Sequence, residues 1–199
     1  MAGNTPKGQT PSQTVGPYFA YGLTPEQYNY PLASIAHGHT VDDETEGERI
    51  RIVGRVFDGA DKPIGDAMIE IWQADAQGRY AHPADPNRPN AAFTGFARTG
   101  TGTDPQNRFV FDTIKPGGRD GQAPHVNVIV MMRGLLTHAY TRIYFADEEA
   151  ANAADPVLAG VPADRRDTLL AKREETSYGT VYRFDIRMQG DSETVFFAV

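Results

Sequence analysis

The chain alternates between short runs in which every second residue is apolar and stretches rich in glycine, proline and small polar residues. Residues 48–58, ERIRIVGRVFD, set Ile50, Ile52 and Gly54 on one face and Arg49, Arg51, Val53 and Arg55 on the other. That period of two predicts a strand. The turn cluster DGADKPIGD follows, and AMIEIWQAD alternates again, with Met68, Glu70 and Trp72 opposing Ile69, Ile71 and Gln73. DAQGRY turns the chain at Gly78, and residues 82–90, rich in Pro and Asn, are irregular. FTGFARTGTGTD is a weak strand that runs into a loop; RFVFDTIKP is a clear one, with Phe109 and Phe111 on one side. VNVIVMM and HAYTRIYFA add two more. Helical signals come late. DEEAANAAD carries acids in its first turn and stops before Pro156, and ADRRDTLLAK, residues 163–172, is the second. VYRFDIRM and ETVFFAV then return to strand. Many short strands with close-spaced turns and one helical excursion predict an all-β sandwich.

The ends and the totals narrow this picture. Residues 1–17 are mostly Thr, Pro, Gln, Gly and Ser, too polar to order themselves. They end at the aromatic GPYFAYGL, which suggests docking on this domain or on a partner. Residues 24–48 read as a long loop. The chain is expected to be one domain, with an N-terminal arm over 1–23 and a sandwich core over 48–199 with helices near 147–172. At 199 residues and 40% hydrophobic it can bury a real core. A net charge of −7 with no basic cluster disfavours nucleic acid. The absence of cysteine removes disulfides, zinc–thiolate sites, iron–sulfur clusters and thiol nucleophiles. No apolar run is long enough for a signal peptide or a membrane span, so a soluble cytoplasmic protein is expected.

Candidate chemistry concentrates in residues 113–134, TIKPGGRDGQAPHVNVIVMMRG. His125 and Asn127 are two apart in a strand and share a face. Two ligand-type side chains on one strand, just after a polar loop, form a plausible metal or active-site wall. One of the two is Asn, however, and the loop carries Arg119. Elsewhere, His37-Gly38-His39 lies in a loop, where solvated side chains are the better reading. Gly100 and Gly102 lack the strand–turn–helix frame of a phosphate loop.

The segments SQTVGPYF, IVGRVFDGADKPIGDAMIEIWQADAQGRY, FVFDTIKPG, APHVNVIVMMRG, TRIYF and RFDIRMQGDSETVFF, in that order, resemble the intradiol ring-cleavage dioxygenases, in particular their iron-free α-type subunits. The resemblance implies a prealbumin-like β-sandwich and a mixed α/β assembly that uses Fe(III). In that family the iron-bearing subunit holds the metal with two tyrosinates and two histidines. Tyr80 and His125 match the first of each. Arg119 stands for the second Tyr, Asn127 for the second His, and Gln122 for an arginine that assists the chemistry. Arg has no lone pair to give and Asn offers only a neutral carbonyl oxygen. Tyr80, Arg119, Gln122, His125 and Asn127 are therefore expected to be a vestigial site, with no metal and no catalytic residue in this chain. The iron is expected in a partner β subunit. The resemblance further implies that Thr14, Gly16, Pro17 and Arg133 line that partner's pocket for a small carboxylated catechol, 3,4-dihydroxybenzoate, which O2 opens to 3-carboxy-cis,cis-muconate. Arg suits a carboxylate because its planar fork takes both oxygens. Two alternatives stand beside this: a non-catalytic prealbumin-like binding or structural module, and an independent metalloenzyme using His37, His39, His82 and His125.

Overall fold

A computed structural model describes residues 12–16, 18–89 and 92–198. Most of the 1–17 arm, including Pro17, lies outside the described residues. Among the described residues nine strands form: β1 (Arg49–Phe57), β2 (Met68–Gln73), β3 (Phe96–Gly100), β4 (Arg108–Ile114), β5 (His125–Met131), β6 (Ala139–Phe145), β7 (Leu170–Thr176), β8 (Gly179–Arg183) and β9 (Ile186–Arg187). They run in the order β3-β2-β5-β6-β7-β8-β1-β4, with β9 beside β1. β6 and β7 meet only at Tyr144↔Leu170 and Phe145↔Ala171. There the sheet divides into two leaves, β3-β2-β5-β6 and β7-β8-β1-β4.

The alternation explains why the leaves close on each other. Ile50, Ile52 and Val56 of β1 and Phe109 and Phe111 of β4 share one buried cluster with Ile69 and Ile71 of β2 and Val126, Val128 and Val130 of β5. Each strand gives its apolar face to the interior. Gly54 completes the apolar face of β1 for a specific reason. A Cβ there would lie 1.7 Å from the Phe184 carbonyl oxygen, so only glycine lets the chain after β8 cross so close.

Helices α1 (Phe19–Leu23), α2 (Glu149–Ala154) and α3 (Pro156–Ala159) are short. α2 occupies the first expected helical stretch. The second departs from expectation: a 3-10 segment, Ala163–Leu169, ends at Leu169, and from Leu170 onward the chain is strand. Leu169 and Ala171 are fully buried, and pairing with β6 there wins over a short helix with no buried stripe. VYRFDIRM is two strands rather than one. Phe184 N–H donates to the Val53 carbonyl and Asp185 accepts from the Arg55 N–H, which turns the chain between them. The ETVFFAV segment forms no strand over its described residues, 193–198. It lies along β6 through Phe197 N–H to the Tyr140 carbonyl (2.8 Å) and Thr141 Oγ1–H to the Val195 carbonyl (2.7 Å), with Phe196 and Phe197 half-buried. It is therefore largely covered by its own domain.

The aromatic end of the arm docks on this chain. α1 leads into a 3-10 turn, Pro25–Tyr28, from which Gln27 exchanges hydrogen bonds with the Gly100 backbone (2.7 and 2.8 Å). Tyr21 packs edge-on to Tyr28 and tilted against Tyr30, while Tyr18 stays 74% exposed. The 24–48 loop follows the sandwich edge, touching it as bridges at His39↔Asp112 and Val41↔Phe93.

Candidate functional site

The site sits on the outer face of the β3-β2-β5-β6 leaf, where β5 begins. The loop before β5 closes in a two-residue turn. Asp120 (φ 51°) and Gly121 (φ 77°) both take left-handed backbone, and Arg119 and Gln122 exchange backbone hydrogen bonds of 3.1 and 2.8 Å. This is the Asp-Gly hairpin geometry, and it holds the loop. A second approach fixes it from the other side. Gly78 (φ 77°) lies so close to the loop that a Cβ would sit 2.4 Å from the Gly118 carbonyl. The two turns are clamped together, and Arg119 is carried over Tyr80.

Arg119 spends its charge locally. Its Nη1 donates to Asp85 Oδ2 and to the Gly78 carbonyl (3.2 Å), and its Nε to Asp120 Oδ2 (3.2 Å). Its guanidinium carbon lies 5.4 Å from the Tyr80 ring centroid, and Trp72 stacks on that ring at 5.7 Å. Asp85 also accepts the Tyr80 N–H (2.9 Å). The Tyr80 N–H, the Arg119 guanidinium and the Asn87 N–H together hold its carboxyl down at about 2. Burial pushes the Tyr80 phenol up, against a hydrogen bond from the Asn127 side chain and the charges of Arg142 and Arg119.

His125 is buried, and its Nδ1 lies 2.8 Å from the Ala123 carbonyl. Burial, aided by Arg142, pushes its pKa down against the Ala123 carbonyl and Asp155. A neutral ring donating Nδ1–H to Ala123 leaves Nε2 as the free acceptor. Asn127 is tied on both ends: its Nδ2 donates to the Trp72 carbonyl (3.2 Å), and its Oδ1 accepts from the Tyr140 hydroxyl (2.5 Å). Gln122 Oε1 accepts from Arg142 Nη1 (2.7 Å), and the same nitrogen reaches the Tyr144 hydroxyl (3.3 Å). Burial pushes Tyr144 up to about 12 despite Arg142.

The five residues of the expected vestigial site thus share one neighbourhood. Thr14, Gly16 and Arg133 belong to another. The Gly134 N–H donates to Thr14 Oγ1 (2.9 Å), which fastens the arm beside Arg133, and Gly16 accepts from the Phe19 N–H (3.2 Å). Arg133 is exposed and pairs with Asp66. Of the other histidines, His37 stacks on His39 at 5.3 Å and pairs with Glu26 (3.1 Å), while His82 Nδ1 accepts the Ala84 N–H. Among the described residues no group of three or more His, Asp or Glu side chains is placed to hold a metal ion. Sequence reasoning missed Tyr140, Arg142, Tyr144, Asp85 and Asp155. Arg142 in TRIYF had a signal, a charge within an otherwise apolar strand.

The dioxygenase family profile matches residues 16–190. The chain is 58% identical over 193 residues to the protocatechuate 3,4-dioxygenase alpha chain of Burkholderia cepacia, covering 96% of this chain and 98% of that one. The chain belongs to the intradiol dioxygenase family. An intradiol relative of another kind, the protocatechuate 3,4-dioxygenase beta chain of Burkholderia cepacia, is 32% identical over 192 residues, 89% of this chain and 77% of that one. The intradiol ring-cleavage dioxygenase of Tetranychus urticae superposes with a TM-score of 0.62 at 18% identity, over 91% of this chain and 94% of that chain, and so shares the β-sandwich.

Intradiol dioxygenases depend on non-haem iron, and the donor set here does not fit it. Tyr80 and His125 are suitable ligands. Beside them stand a guanidinium engaged with Asp85 and an amide engaged on both its oxygen and its nitrogen. Ferric iron needs anionic oxygen donors to balance its charge, and Arg119 instead contributes a cation.

Proposed function

We propose that this chain is the iron-free α subunit of protocatechuate 3,4-dioxygenase and that it completes the active site of an iron-bearing β subunit. The observation that carries the reading is the state of Arg119 and Asn127. They stand where the family's second tyrosinate and second histidine are expected, in a chain otherwise 58% identical to an alpha chain along its length. The assembly opens 3,4-dihydroxybenzoate with O2 to 3-carboxy-cis,cis-muconate, and the ring-opening step belongs to the partner's ferric site.

The contribution of this chain is to hold and orient substrate. Thr14 and Gly16 wall the partner's pocket, and Arg133 takes the substrate carboxylate in a two-point contact, leaving Asp66 to do so. The Thr14–Gly134 hydrogen bond supports this assignment, because it ties the arm to the turn after β5 that bears Arg133. The functional unit is a multimer of α–β pairs, acting in the cytoplasm on aromatic acids.

Iron content and visible absorption test the reading, since ferric–tyrosinate coordination is coloured. The chain purified alone is expected to be colourless and iron-free, and the same chain with the β subunit coloured and active. Stoichiometric iron with colour in the chain alone would overturn it.

A further inference from the structure

We propose that the outer face of the β3-β2-β5-β6 leaf carries a second ligand site, an apolar slot with one cationic edge, that takes an aromatic monocarboxylate. The slot is a recess of ≈ 300 Å³ walled by Trp72, Phe96, Ile129 and Tyr140, with Glu70 and Asn127 at its margins. That is the small end of the range for small-molecule sites, about 300–1,000 Å³. Its polar groups are already satisfied. Glu70 pairs with Arg98 at 2.6 Å, and the Tyr140 hydroxyl is spent on Asn127. What remains is flat, apolar and aromatic-walled, which suits the face of an aromatic ring.

The cationic edge is Arg142. It faces Asn127 in the β5–β6 register and lies two residues from Tyr140 on the same face, next to the margin of the slot rather than among the residues that wall it. Unlike Arg98 and Arg119, it has no carboxylate partner among the described residues. Its Nη1 bonds go to the neutral Gln122 and Tyr144, and it reaches Asp155 only through the Tyr144 hydroxyl. A half-buried guanidinium without a counter-ion is costly unless an anion comes to it. Its planar fork matches the two oxygens of a carboxylate, and a benzoate ring lying in the slot brings them there. The site needs neither iron nor a partner chain, so it stands apart from the reading above.

Trp72 is the chain's single tryptophan and lines the slot, so its emission reports occupancy. The probes are benzoate and its neutral isostere benzamide, titrated into the full chain at pH 7. The expected result is saturable perturbation of emission by benzoate, with benzamide weaker by roughly tenfold, the worth of one charge-assisted pair. Arg142→Gln is expected to erase that preference and Arg142→Lys to keep part of it, with circular dichroism verifying the fold. Ile129→Phe, which fills the slot and leaves the arginine, is expected to weaken both ligands. The proposal is overturned by failure of benzoate to saturate in the millimolar range, by equal affinity for benzoate and benzamide, or by an Ile129→Phe chain that binds as before.

Discussion

Asp155 links the helical excursion to the site, and its removal has consequences that can be worked out. It is fully buried and takes four donors: Val157 N–H and Leu158 N–H on Oδ1 (2.8 Å each), Ala123 N–H on Oδ2 (2.8 Å), and the Tyr144 hydroxyl on Oδ1 (3.3 Å). The first two make it the N-cap of α3, with Pro156 supplying the first helical position. The third holds Ala123, whose own carbonyl fixes the His125 ring. Asp155→Ala deletes a cap worth about 1 kcal/mol and strands a buried Ala123 N–H at a further 1–3 kcal/mol, so a loss of roughly 3 kcal/mol is expected.

Urea unfolding followed by circular dichroism reads this directly, provided the slope with denaturant is unchanged. Asp155→Asn is the control. It keeps one oxygen for the cap but presents an amide nitrogen or a single shared acceptor to Ala123, so it should fall between wild type and Ala. A loss under about 1 kcal/mol for Asp155→Ala would refute the idea that one carboxylate satisfies both the helix and the strand entrance, because buried N–H groups do not go unpaired so cheaply.

Other outcomes follow from separate features. Gly54→Ala places a methyl against the Phe184 carbonyl and should cost about 3 kcal/mol, the upper part of the range for overpacking, in the same urea assay. Asp85 and Asp104 both have folded carboxyls at about 2, below the ordinary 3.8, so their stabilisation is full above pH 4 and is lost as pH falls toward 2. Asp85→Asn should flatten that acid limb in a pH-dependent melting series; an unchanged limb would remove the Arg119 pair from it. In the assembled enzyme, Arg133→Ala should raise KM for 3,4-dihydroxybenzoate roughly tenfold and spare catechol, and equal effects on both would detach Arg133 from the carboxylate.

Much of the fold is legible in the sequence because a strand with one buried face has to alternate. β1, β2, β4, β5 and β6 each show that pattern, and each delivers its apolar face to the shared core. Where the sequence misleads, a tertiary contact decides. Residues 170–172 belong to a pattern that fits a helix, and it is pairing of Leu170 and Ala171 with the end of β6 and of Lys172 with β8 that makes them a strand. Nothing local announces that Phe184 must leave β8 to cross Gly54, although a glycine on an apolar strand face hints at a close approach. The Asp120-Gly121 turn carried a stronger signal, since that dipeptide favours left-handed backbone at both positions.

The site divides along a similar line. Residue types and spacing identify Tyr80, Arg119, Gln122, His125 and Asn127, because a motif records which side chains stand where. They do not record what each side chain is already bound to, and that is what decides the chemistry. Arg119 is a cation in sequence but an occupied one in the fold, spent on Asp85, a residue in an irregular stretch that no pattern singles out. Arg142 shows the converse. By sequence it is one charge in a strand, indistinguishable from the paired Arg98. In the fold, Arg98 meets Glu70 across β2 and β3, whereas Arg142 meets only amide and phenol groups. Among the described residues the guanidinium on this face without a carboxylate partner is therefore Arg142, beside an aromatic-walled recess, and not Arg119, where alignment to the metal ligands draws attention first.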